Sequence, residues 1–199
     1  MSDLPKYLPL SQRPRRDESA VSSDWSERVA AVLTSLAVFV EGLTPERREL
    51  AHDDLARLVW RLRATRQQRL VAKFRRRAPL ALTTNLPRAL REVAAEPRKR
   101  AIGDLASAVV TALDVAREAH GSIDIDPVSL GAVAVARALN APLPIRAVLS
   151  SVTLVAIDGD WAVGRDAQRN ARGADIVLFL YGRTGLPPVY DGEMEQNHG

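Results

Sequence analysis

The hydrophobic period of this chain changes once, and that change constrains the fold more than any other feature. From Trp25 to Leu139, apolar residues recur three or four positions apart, the spacing of one helix face. Only in the run from Ser151 to Ile157 does the pattern become β-rich. Asp158-Gly159 is a hairpin-turn pair, and Trp161-Ala162-Val163-Gly164 reads as the returning strand. The fold class read from this is α+β, mostly α: a bundle of four or five helices followed by a small α+β C-terminal element.

Punctuation residues divide the helical part. Trp25, Val29, Val32, Leu33, Leu36 and Val40 form a first stripe, with Ser23 or Asp24 as cap and Gly42 as stop. Thr44-Pro45-Glu46 opens a second helix with the stripe Leu50, Leu55, Leu58 or Val59, and Leu62. That stripe lapses between Thr65 and Arg69, so either one long helix leaves the core or two helices meet near Gln67-Gln68. Pro87 to Pro97 bounds a short helix. Another runs from Ile102 to Gly121. A further one starts at Asp126-Pro127, buries Leu130, Val133, Val135 or Ala136, and Leu139, and is closed by Asn140, Pro142 and Pro144. Asp175 to Tyr181 reads as a last buried helix ended by Gly182. The organisation is a flexible tail over 1–22, the bundle over 23–121, a linking helix with the C-terminal element over 122–185, and a second flexible tail over 186–199.

At 199 residues, with 46% hydrophobic and 26% charged side chains, the chain can bury a substantial core. The absence of cysteine excludes disulfides, thiolate metal sites and a cysteine nucleophile. No signal-peptide pattern and no membrane-length apolar run is seen, so a cytoplasmic protein without a membrane partner is expected. The net charge of +4 is unevenly placed, with a basic front half and a mildly acidic back half. That asymmetry can steer an anionic partner or draw the halves together.

The back half carries a resemblance. It comprises the run from Leu154 to Gly164 that ends in Trp161-Ala162-Val163-Gly164, then Gly173-Ala174-Asp175-Ile176-Val177-Leu178, then Gly182-Arg183. The stretches Leu113-Asp114-Val115-Ala116 and Arg137 to Pro142 add to it, as does the turn Leu43-Thr44-Pro45-Glu46. Together they resemble the mycothiol-dependent maleylpyruvate isomerase family, whose bundle belongs to the DinB-like superfamily. The match is best over residues 98–183. The resemblance implies a DinB-like bundle, a divalent metal, mycothiol as thiol cofactor and small organic acids as substrates. Carried over position by position, the family's metal ligands fall on Arg57, Ser107 and Thr111. A guanidinium repels a cation, and two hydroxyls replace poorly a carboxylate and an imidazole. The resemblance thus implies a divergent member without the family metal or its catalysis, in which mycothiol and metal enter only through family likeness. A weaker alternative is a shifted metal site from His52, Asp53 and Asp54.

Further residues have two readings each. Arg183 can grip a ligand carboxylate, or meet the carbonyls at a helix C-terminus. Trp161 can line a cleft or anchor the core. Asp158 and Asp160 are read as turn residues. A cleft between bundle and C-terminal element, bearing Arg183, Trp161, Arg57, Ser107 and Thr111, is the expected site for a small organic acid or thiol. The rival reading is a non-enzymatic interaction protein. Arg57, Arg61, Arg66, Arg69, Lys73, Arg76 and Arg77 fall at helical spacings, with Trp60 and Phe74 interleaved and no acidic residue between Arg57 and Arg77. Such a ridge can bind nucleic acid, another polyanion or a protein partner.

Overall fold

The computed structural model describes residues 24–65, 67–68 and 85–188. Within these it is mostly helical, with seven helices and one three-stranded sheet. Helix α1 (Ser26–Glu41) buries Val29, Val32, Leu33, Leu36 and Val40, as its stripe dictates. Asp24 starts it: one carboxylate oxygen accepts the Ser26 N–H at 3.0 Å and the Arg100 N–H at 3.1 Å. These main-chain bonds, Arg100 first, hold the Asp24 carboxyl below its ordinary value.

Helix α2 (Pro45–Arg63) begins as expected, with Thr44 Oγ1 accepting the Arg47 N–H. Its buried face is Ala51, Leu55, Leu58, Val59 and Leu62. Leu50, expected on that face, is 75% exposed. It lies one residue before Ala51 and so a full 100° away around the axis. The helix does not continue past Arg63, because Ala64 is extended and two distant arginines take over its last carbonyls. Arg98 donates to the Leu62, Arg63 and Ala64 oxygens, and the buried Arg100 donates to Leu62, Val93 and Glu96. These bonds join α2 to α3 (Leu86–Ala95), whose cap is Asn85.

Helix α4 (Ile102–Glu118) runs through the centre, and α1 and α2 both pack on α3 and α4. Helix α5 (Pro127–Leu139) is capped by Asp126, which accepts the Ser129 N–H at 2.9 Å and pairs with Arg28 at 2.6 Å. Burial pushes the Asp126 carboxyl up, but the Ser129 bonds and the Arg28 charge outweigh it and leave it below its ordinary value. Leu130, Val133 and Ala134 are buried, whereas Val135 and Leu139 are 46% and 78% exposed, against expectation. Apart from Ser129 and Arg137 the helix is apolar, and part of its apolar surface has no neighbouring element on it among the described residues. A short helix α6 (Leu143–Leu149) follows, although Pro142 and Pro144 alone predict a stop. Both prolines sit at its start, where no main-chain donor is needed.

Strands β1 (Val152–Ala156) and β2 (Ala162–Gly164) form the expected antiparallel hairpin around Asp158-Gly159. A third strand, β3 (Ala167–Ala171), pairs parallel to the other edge of β1. Ala-Gln-Arg-Asn-Ala has no apolar alternation to announce a strand; four of its five residues are exposed, and main-chain pairing holds it. The chain passes from β2 to β3 beneath the start of β1 by a tight crossing. There Gly164 has φ +111°, and an added Cβ would lie 2.1 Å from the Val152 carbonyl oxygen. Only glycine fits there.

Helix α7 (Gly173–Leu180) starts two residues before the expected Asp175, with Asp158 accepting the Gly173 N–H at 2.8 Å. Gly182, at φ +70°, ends it. The Gly182 N–H reaches the Phe179 oxygen and the Arg183 N–H reaches the Leu178 oxygen, the paired bonds of a left-handed helix cap. One continuous apolar core runs from α1 to α7. Among the described residues, no single helix is long and apolar enough to cross a membrane.

Candidate functional site: an arginine-lined cleft

Six of the residues singled out in the sequence line one cleft: Asp54, Arg57, Arg61, Ser107, Thr111 and Arg183. Helix α2 contributes Asp54, Arg57, Leu58 and Arg61, at positions i, i+3, i+4 and i+7 of one helix face. Helix α4 contributes Ala106, Ser107, Val110 and Thr111, again at helical spacing, and the cap of α7 adds Tyr181 and Arg183. The cavity measures about 390 Å³. Arg57, Ser107, Thr111 and Arg183 thus share one space, with Arg61 as a further member. Trp161 does not belong to it.

The charges are partly committed. Arg57 donates from Nε to the Asp53 carbonyl at 3.1 Å, and its Nη2 lies 3.1 Å from Asp54 Oδ1. Arg183 bonds through Nε to Asp114 Oδ2 at 2.9 Å. Arg117 reaches the other Asp114 oxygen at 3.4 Å and donates to the Arg183 carbonyl at 2.8 Å. The side chain of Arg183 therefore meets a carboxylate on α4, and its own N–H, rather than its guanidinium, closes the helix. Burial pushes the Asp114 carboxyl above its ordinary value, and the neighbouring Arg183 and Arg117 charges offset this only in part.

Arg61 is exposed and forms no ion pair among the described residues. Tyr181 is half-buried, with the Arg137 guanidinium 4.9 Å from its ring centroid. Burial raises its phenol above the ordinary value despite the Arg137 and Arg61 charges, so it is a neutral hydrogen-bonding group at neutral pH. The Ser107 hydroxyl donates to the Gly103 carbonyl one turn back at 2.7 Å. The cleft wall thus carries three guanidiniums, one carboxylate, two hydroxyls, a phenol and an apolar floor of Leu58, Ala106 and Val110.

This donor set does not suit a metal ion. Arg57, Ser107 and Thr111 face the cleft together, and a guanidinium beside two hydroxyls excludes a cation. The shifted alternative also fails geometrically. His52 Nδ1 lies 3.4 Å from Asp53, but His52 lines a different hollow, beside Glu49 and Asn85, while Asp54 faces the arginine cleft. Adjacent positions on a helix point about 100° apart, so three successive side chains cannot converge on one ion. No group of three His, Asp or Glu side chains among the described residues is placed to hold a cation.

Trp161 lies in an apolar groove elsewhere, and is both anchor and wall. An added Cβ on Gly131, Gly159 or Gly173 would come within 2.9, 2.7 and 2.9 Å of its indole, so three glycines form the slot that clamps it. Of the expected cationic ridge, Arg57 and Arg61 line the cleft. Arg66, Arg69, Lys73, Arg76 and Arg77 lie outside the described residues.

Sequence reasoning missed Tyr181 as a member of the site and Asp114 as the partner that holds Arg183, and it named Asp54 only in the weaker metal alternative. Asp114 sits 69 residues from Arg183, and no local spacing links them. Tyr181, an aromatic two residues before the closing arginine, was the nearest available signal. No family model matches the chain, and comparison with curated proteins and with solved structures yields no match.

Proposed function

We propose that this chain is a divergent maleylpyruvate isomerase-like protein on a DinB-like bundle, which binds a small organic acid without the family's metal and without its catalysis. The observation that carries the reading is the convergence of Arg57, Arg61 and Arg183 on one cavity with the Ser107 and Thr111 hydroxyls. A carboxylate matches that wall. Guanidiniums bind it with paired N–H donors, and a neutral phenol and hydroxyls complete its shell. Leu58, Ala106 and Val110 receive a short apolar body. A thiol would gain only point-charge attraction, so the acid is the favoured ligand. The rival reading, binding of nucleic acid or a protein through Arg57 to Arg77, loses Arg57 and Arg61 to the cleft wall.

Thermal unfolding with maleate, fumarate or pyruvate, and separately with 2-mercaptoethanol as a small thiol without a carboxylate, tests this reading. The acids are expected to raise Tm in the native chain and to lose that increment in Arg61→Ala and Arg183→Ala. An increment that survives both substitutions, or none with any acid, contradicts the proposal. Salt-sensitive DNA binding without an acid response would favour the rival reading.

A further inference from the structure

Helix α5 leaves one apolar face uncovered. Val128, Ala132, Val135 and Leu139 follow one another at three- and four-residue spacings, with Ala136 beside Val135, and Val128, Val135 and Leu139 are 57%, 46% and 78% exposed. With Trp25, Ile102 and Trp161 they line a groove of about 800 Å³. From Val128 to Leu139 the face is about 16 Å long, at about 1.5 Å per helical residue. An exposed apolar face of that extent calls for a cover.

We infer that the cover is this chain's own N-terminal segment, Leu4-Pro5-Lys6-Tyr7-Leu8-Pro9-Leu10. Four large apolar side chains fall within these seven residues, and an extended segment of that length spans roughly 20 Å, at about 3.3 Å per residue. The chain enters the fold at the groove itself, because Trp25 lines it and is held there by its N–H bond to the Arg100 carbonyl at 2.9 Å. Fourteen residues separate Leu10 from Trp25, and each can span about 3.3 Å, so the segment reaches every point of the groove. Tethering keeps its effective concentration in about the millimolar range, so the contact needs little intrinsic affinity. Pro5 and Pro9 reduce the freedom lost on docking, and aromatic-lined grooves receive proline-containing extended segments well. Charge agrees: Asp160 lines the groove, Lys6 lies within the segment, and Arg13, Arg15 and Arg16 follow it. The acidic C-terminal stretch with Asp191, Glu193 and Glu195 would be repelled.

The chain has no cysteine, so Ser11→Cys gives a single attachment point for a nitroxide. In the full chain, the label is expected to broaden the methyl resonances of Val128, Val135 and Leu139. The broadening should disappear when Leu8→Asp and Leu10→Asp are added, and Leu139→Asp should weaken that of Val128 and Val135. Absence of broadening in the singly labelled chain overturns the inference. So does broadening that survives Leu8→Asp and Leu10→Asp. A mixture of spin-labelled and isotope-labelled copies separates the other occupant: broadening between copies, equal to that within one, would assign the groove to a second chain.

Discussion

Arg183 Nε lies 2.9 Å from Asp114 Oδ2, tying the cap of the last helix to the central helix across 69 residues of sequence. This pair orients one wall of the arginine cleft. Asp114 is only 13% exposed and gathers Arg117 as well, so removing Arg183 leaves a carboxylate in poor solvent.

A pH dependence follows from Asp114. Its folded-state pKa is raised above the ordinary value of 3.8, so between those two values the folded chain holds more protons than the unfolded chain. Its contribution favours folding at low pH and is lost as pH rises through the raised value. Asp24, Glu41 and Glu92 are lowered, and their contributions run the other way, fading as pH falls. Comparing denaturation of the native chain and Asp114→Asn from pH 3 upward isolates the first effect. The native chain is expected to lose stability relative to the variant as pH rises, and a constant difference would refute it.

Gly131 reverses an ordinary helix rule. Glycine to alanine inside a helix usually stabilises by about 1 kcal/mol. Here the new methyl would stand 2.9 Å from the Trp161 ring, so Gly131→Ala is expected to destabilise by about 1–3 kcal/mol. In Trp161→Leu the same change should cost much less, a coupling that chemical denaturation of the four chains measures. Additive effects would mean that the clamp does not exist.

Two left-handed glycines should respond differently. Gly182 has φ +70° but open space around its Cβ position, so Gly182→Ala should cost about 1–2 kcal/mol, the backbone term alone. Gly164→Ala adds a collision with the Val152 carbonyl that no side-chain rotation relieves, and is expected to disrupt the β2–β3 crossing. Equal Tm losses for the two would contradict the crossing geometry.

Metal addition separates the arginine cleft from a shifted ligand site. Zinc or nickel is expected to leave Tm the same in the native chain and in His52→Ala. A stabilisation lost on substituting His52 would restore the site that helix geometry disfavours here.

What was legible in the sequence was whatever is encoded within a few residues. The α1 stripe, the Thr44-Pro45 start of α2, the Asp126 cap and the Asp158-Gly159 hairpin all rest on local spacing, and each appears as read. The failures have one cause: the deciding partner lies far along the chain. Arg98 and Arg100 end α2 from more than thirty residues away, and β3 exists only because β1 offers it an edge. Val135 and Leu139 fit a helical stripe as well as Leu130 does, but only the position of α4 and α7 decides which face is covered. In the cleft, Ser107, Thr111 and Arg183 stood out through the resemblance, and Arg57 through both the resemblance and its helical spacing. Asp114 stood in a stretch that carries the resemblance, but no local spacing tied it to Arg183.

We propose that the cleft accepts a carboxylate and no cation, and crystals soaked in maleate give the sharpest test. Carboxylate density is expected within hydrogen-bonding distance of the Arg61 and Arg183 guanidiniums. A coordinated ion bonded to the Ser107 and Thr111 oxygens, with Arg57 swung aside, would contradict it.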